Sequence, residues 1–195
     1  MPDCAVGGRT LNVLTDNSYS ITSQILIDYL YAYYNPDRDL AHFLTSNNLA
    51  MPADRFHLVG GFDPTFPRAA AEDRDLCDRW LYHGYQMIYA PEVLVYHAHL
   101  LTFRTFWRQH FNYGRGAYSF HRARAQRGHR RIKVEPLSFY LYLLCYPFTQ
   151  RRGQRPLLLA ALLAMSQAAN ISGFWWEQVN YLSTISNVGR FVPKM

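Results

Sequence analysis

At 195 residues the chain is long enough for one domain with its own core, and 49% hydrophobic with 16% aromatic content is rich for an ordinary soluble domain. The net charge of +6 is unevenly divided: residues 1–103 hold 6 Lys/Arg against 12 Asp/Glu, whereas residues 104–195 hold 14 against 2, so the two halves face different surroundings. Cys4, Cys77 and Cys145 are widely spaced and form no CxxC or Cys/His cluster, which argues against a disulfide framework or structural zinc and suits a reducing, intracellular setting.

The opening MPDCAVGGRTLN has neither a basic n-region nor an apolar h-region, so no signal peptide is expected. CAVGGR (4–9) reads as the end of a strand and a glycine turn, an abrupt place for a domain to begin. Asn17 or Ser18 then caps an amphipathic helix carrying Ile21, Ile25, Tyr29 and Tyr33 at helical spacing. FLTSNNLAM (43–51) reads as a short strand running into a polar turn. Pro52 opens a further helical turn that Gly60 and Gly61 end. Residues 71–83 form a carboxylate-rich helix closed by Gly84, and QMIYA and EVLVYHAH read as two strands meeting at Pro91 and Glu92. A long helix is expected from Thr102 to about Arg127, with Phe103, Trp107, His110, Ala117 and His121 along one side. Helices alternating with short strands give an α/β sheet in the first 100 residues.

The tail has a different composition. Residues 136–150 carry no charge, QRRGQR (150–155) is a basic knot, and residues 156–176 are again uncharged. Twenty-one residues at 1.5 Å each span about 30 Å, the thickness of a bilayer core. The segment is therefore read either as helix packed on the domain or as a membrane-embedded or interfacial element. Flanking arginines and the Trp175–Trp176 pair favour the membrane. The expected organisation is an α/β part over 1–101, a basic amphipathic helical segment over 102–134 and a hydrophobic helical tail over 135–195.

In EDRDLCDRW (72–80), at 100° per residue, Asp73 falls in the middle of the stripe formed by Leu76, Cys77, Trp80 and Leu81. Asp75 and Asp78 point away, and Asp75 precedes Arg79 by four residues, the spacing of a surface ion pair. Glu72 flanks the stripe. Asp73 is read either as a helix N-terminal cap or as a general base, in which burial raises proton affinity and the helix terminus lowers it.

Taken together and in order, TSNNLAMPADRFHLVGGFD, EDRDLCDRWLYHGYQMIYAPEVLVYHAH and FWRQHFNYGRGA resemble the C-terminal half of the family 2, GT-A fold glycosyltransferases. The likeness covers about residues 4–125, and the hydrophobic tail is similar to that of the membrane-associated bacterial members. It implies a partial GT-A (Rossmann-like) sheet with flanking helices, a long basic helix and C-terminal hydrophobic helices. It also implies transfer of a sugar from a nucleotide-sugar donor to a hydroxyl acceptor in cell-envelope or surface polysaccharide or glycolipid synthesis, with inversion, on the cytoplasmic side of the cytoplasmic membrane.

Carried over to this chain, the resemblance makes Asp73 the base that deprotonates the acceptor, with Glu72 in support. Asn47, Asn48, Gly60, Gly61, Phe62 and Asp63 correspond to the acceptor-side segment beside the donor. Arg108, Gln109, Tyr113 and Arg115 stand where donor phosphates or product are held. His97, and less directly His99, correspond to a histidine that completes a metal site or touches the diphosphate; in the core of a strand, His97 would be purely structural. A divalent cation, Mg or Mn, is implied for the complete enzyme. Residues 104–133 hold nine Lys/Arg and no acid, more than a diphosphate needs, so most are expected to face water or anionic lipid.

The family's nucleotide-binding half, which with its metal-holding Asp-x-Asp should precede residue 4, has no counterpart here. The expectation is therefore a fragment, an internal start or one half of a split enzyme, inactive alone, whose partners are an N-terminal half and membrane lipid. Two other readings remain: a non-catalytic membrane-bound partner of a complete transferase, and a nucleic-acid binder using the Arg and aromatic residues of 103–133. No RNP, KH or helix-turn-helix pattern surrounds the latter, and no nucleic-acid partner is expected.

Overall fold

The structure is a computed structural model that describes residues 3–66, 70–128, 134–150 and 155–190. Most of the QRRGQR knot and the end of the 104–133 basic run lie outside those residues.

The described chain is mixed α/β. Strand β1 (Cys4–Asn12) leads through helix α1 (Ser18–Tyr34) to a short strand β2 (Leu49–Ala50) and helix α2 (Ala53–Leu58). Helix α3 (Glu72–Tyr82), strand β3 (Gln86–His97) and helices α4 (Phe103–Gln126), α5 (Leu137–Thr149) and α6 (Pro156–Arg190) follow. The sheet order is β2-β1-β3, with β2 antiparallel and β3 parallel to β1.

Caps fall where side-chain chemistry places them. The Asn17 carboxamide accepts from Ser20 N–H to start α1, and Thr102 and Thr105 form a reciprocal capping box for α4. Gly60, Gly61 and Gly84 take positive φ at the two helix ends read from the sequence.

Several expectations are corrected. Gly7 and Gly8 lie inside β1, where a Cβ on Gly7 would strike Leu44 and one on Gly8 would strike the Val93 carbonyl and Asn48. The glycines mark close approach rather than a turn. The two strands expected at 86–99 are one, because pairing with β1 jumps from Gly8↔Ala90 to Arg9↔Leu94 and leaves Pro91 to Val93 as a bulge. Residues 43–51 form a 3-10 turn over Ser46–Asn48 and only two strand residues, since Asn47 and Asn48 bond the turn to neighbouring chain. On α4 the buried residues are Phe106, His110, Gly114, Gly116, Tyr118 and Phe120, while Phe103 and Trp107 are exposed.

One core gathers Leu44, Leu76, Cys77, Trp80 and Met87 between sheet and α3, and a second joins α1 to α5 and α6 through Ile25, Tyr29, Leu143 and Leu163. Helices α4 and α6 run side by side in parallel: Phe106 packs with Leu162, and Arg115 bonds Glu177 at 2.6 Å. The pair is drawn in by two glycines, since a Cβ on Gly114 would overlap the Asn170 carbonyl and one on Gly173 the Phe111 carbonyl. Gly173→Val therefore forces backbone from backbone, and a loss of about 3 kcal/mol in urea unfolding is expected, the upper end for overpacking. A loss within error would mean that the two helices part freely.

Candidate active site

Helix α3 begins at Ala71, whose φ of 68° is a left-handed conformation that a non-glycine residue adopts at a cost of about 1–2 kcal/mol. The turn is held from behind by α4: Gly116 has no side chain where a Cβ would overlap the Ala70 carbonyl. This seating presents Glu72 and Asp73 in the first helical turn.

Asp73 is a partly exposed residue whose carboxylate is closely surrounded. Burial raises its carboxyl to about 6 and the Glu72 charge adds to the rise, while main-chain hydrogen bonds from Arg74 (2.8 Å to Oδ1) and Ser46 oppose it. A carboxyl of this kind is ionised near neutrality yet retains appreciable proton affinity. Glu72 Oε2 is buried with no hydrogen-bond partner among the described residues.

Opposite them on α4, the Tyr113 hydroxyl accepts from Gln109 Nε2 at 2.8 Å. Burial raises the Tyr113 pKa, and the charges of Asp73 and Glu72 raise it further, so the phenol stays neutral and close to both carboxylates. Gln109 Oε1 is a second buried oxygen without a hydrogen-bond partner among the described residues.

Gln109 and Tyr113 form one wall of an open cavity of about 330 Å³ that His99, Leu100, Leu101, Thr105, Arg108 and Asn112 complete. Four residues singled out by the resemblance thus share a cavity. Thr105 and Asn112 were not foreseen, although 105, 108, 109, 112 and 113 form a polar stripe at helical spacing that periodicity alone could have exposed.

The other expected residues lie around this centre. Asn47 Oδ1 accepts from Thr45 and Thr10 hydroxyls at 2.7 and 3.2 Å, and Asn48 donates to the Arg9 and Val93 carbonyls, so both shape the turn that brings Ser46 to Asp73. Gly60 and Gly61 form a loop clamped by Arg79, which donates to the Val59 carbonyl at 2.5 Å and the Gly61 carbonyl at 2.6 Å. Phe62 is exposed against Phe56, and the Asp63 carboxyl pKa is lowered by hydrogen bonds from the Thr65 side chain and the Thr65 N–H. Arg115 is turned toward α6 and paired with Glu177, so its charge is already balanced.

His97 and His99 are exposed at the end of β3, with ring centroids 5.6 Å apart. Two imidazoles do not complete a site for Mg or Mn, which take mostly oxygen ligands. No group of three or more His, Cys, Asp or Glu side chains converges among the described residues. These residues do not fit a whole metal centre.

The reading of Asp75 and Asp78 as surface residues is overturned. Asp75 is fully buried and receives Arg79 Nε at 2.8 Å and Arg127 Nη1 at 2.9 Å. Asp78 is met by Arg127 Nη2 at 2.9 Å and lies 3.0 Å from Arg124 Nε. Helical phase identified the core side of α3 correctly, but the C-terminal end of α4 covers the opposite side as well. Arg124 and Arg127 are thereby engaged within the fold instead of facing water or lipid, and α6 engages Arg115 through Glu177 and Arg122, which lies 4.3 Å from the Tyr181 ring centroid.

Residues 28–182 match the model of the family described as glycosyl transferase family group 2. The chain belongs to that family. The match runs from α1 into α6, so the apolar helices fall within the family's span as well as the sheet and Asp73. This is an enzyme of the glycosyl-transfer class, for which a nucleotide sugar and an acceptor are the implied substrates. No curated protein matches the chain. Among the described residues one helical stretch, Pro156–Thr184, is long and apolar enough to cross a membrane.

Proposed function

We propose that this chain supplies the acceptor side of a transferase that moves a sugar from a nucleoside diphosphate to a hydroxyl acceptor in cell-envelope or surface glycan or glycolipid synthesis, at the cytoplasmic face of the cytoplasmic membrane. The observation that carries the proposal is Asp73: a carboxyl raised to about 6, next to an unpartnered Glu72 oxygen and a neutral Tyr113.

In this reading Glu72 and Tyr113 orient the acceptor, and Asp73 takes the proton as the acceptor oxygen bonds to the anomeric carbon. The bond from that carbon to the diphosphate breaks, and the electron pair leaves with the nucleoside diphosphate. Attack from the face opposite the leaving group inverts the centre. Arg108, on the cavity wall, is placed to face that developing negative charge. The one Asp-x-Asp that precedes Asp73, Asp37-Arg38-Asp39, forms an exposed 3-10 turn in which the Asp37 carboxylate accepts from Asp39 N–H, and it gathers no metal site among the described residues.

The division of labour is tested by calorimetric titration of the chain with UDP- and GDP-sugars in the presence of Mn²⁺. No micromolar binding is expected. Micromolar affinity would place the donor site on this chain and overturn the proposal.

A further inference from the structure

Helix α6 has two faces of different character. Its inner face carries buried Leu159, Leu162, Leu163, Ser166 and Ala169 and is locked to α4. Its outer face carries Leu157, Ala161, Ile171, Trp175, Val179 and Leu182, and Leu157, Trp175 and Val179 are each at least 60% exposed. Helix α5 also exposes Leu141, Tyr142 and Phe148. Apart from the two indole N–H groups, Ser172 is the one polar side chain exposed between Leu157 and Val179, and its hydroxyl donates to the Ala168 carbonyl.

Length alone would let α6 cross a bilayer, since Leu157 to Leu182 spans about 38 Å against a hydrocarbon core of about 30 Å. Packing argues against it. Helix α4 lies along α6 from Phe106 to Arg122, with Arg115 bonded to Glu177 and Arg122 over Tyr181. Crossing would drag those charges into hydrocarbon, where ionised side chains are costly.

A protein partner would be expected to find about one hydrogen bond per 100–200 Å², and this face offers almost none. Its basic flank points to lipid: Arg155 stands exposed just before α6, and Arg104, in the first turn of α4, is exposed and makes no ion pair among the described residues. Tryptophans with cationic flanks suit the headgroup layer.

We propose that α6 lies along the membrane surface instead of crossing it, its outer face seated in the headgroup and upper acyl region of an anionic bilayer. This deepens the membrane-side reading above and rests on it. The seating holds the cavity and Asp73 beside the bilayer.

The test uses the full chain with Cys145→Ser and single cysteines Leu157→Cys, Ile171→Cys or Leu182→Cys, spin-labelled and added to vesicles of mixed phosphatidylcholine and phosphatidylglycerol. Cys4 and Cys77 are buried. Depth is read from the relative access of oxygen and a water-soluble nickel chelate. The expected result is one shallow depth at all three positions. In addition, Ile171→Glu with Val179→Glu should lower vesicle partition by about tenfold or more without changing far-UV dichroism. An Ile171 label far deeper than the two end labels would mean that α6 crosses and would overturn the proposal. Absence of vesicle binding, with a concentration-dependent dimer covering the face, would overturn it too. Transfer assayed in detergent with and without Asp73→Asn reads the chemistry separately, so the seating can fail while the reaction stands.

Discussion

Asp73→Asn in the complete enzyme is expected to lower transfer by about 10²–10⁴-fold while leaving donor affinity unchanged, because it removes a proton acceptor and little volume. The carboxyl sits at about 6 because burial outweighs the main-chain hydrogen bonds from Arg74 and Ser46. Transfer should therefore rise with pH through about 6, as the group becomes the carboxylate that acts as base. The stability effect has the opposite direction. A folded-state value above the ordinary 3.8 means that the folded protein holds this proton more tightly than the unfolded chain between about 4 and 6. Folding stability falls as pH rises through that window, and the uncompensated cost of the ionised group is fully present above about 6. Asn should abolish both dependences. Urea unfolding at pH 4.5 and 7.5, beside the rate measurements, separates them.

Asp75→Ala is expected to cost about 3–5 kcal/mol, the range for removing one partner of a buried ion pair. Asp75 is the shared anion of Arg79 and Arg127, and its side chain is 1% exposed. Without it two guanidiniums are left without their common carboxylate in a largely enclosed space. Arg79 also clamps the Val59 and Gly61 carbonyls, and Arg127 joins α4 to Asp78. The loss should therefore loosen the Gly60–Gly61 loop and the α3–α4 junction together. Asp78→Ala, at a side chain 19% exposed, should cost clearly less. Equal losses in urea titrations of the two variants would contradict the assignment of Asp75 as the hub.

Much of this was legible in the sequence because it depends on local chemistry. Asn17 and Thr102 announced helix starts, Gly60, Gly61 and Gly84 announced stops, and the Leu76–Cys77–Trp80 stripe announced which side of α3 meets the core. The enclosed position of the Asp73 carboxylate was legible from phase. What local pattern could not give is which distant segment covers a face. Asp75 has the i, i+4 partner of a surface residue, and only the arrival of Arg127, 52 positions later, makes it buried. Gly7 and Gly8 look like a turn because glycine permits both a turn and a close approach, and the decision lies with Leu44 and Val93. The basic run looked free for lipid because sequence did not pair Arg115 with Glu177 or Arg124 and Arg127 with α3. Arg104 and Arg108 remain as the exposed pair.

The most direct test of Asp73 as the base is the pH dependence of kcat/KM for the acceptor in the complete enzyme, compared with the Asp73→Asn variant. A rising limb with its midpoint near 6, absent from the residual rate of the variant, is the predicted result. A limb that persists with Asn at position 73, or wild-type turnover by that variant, would contradict it.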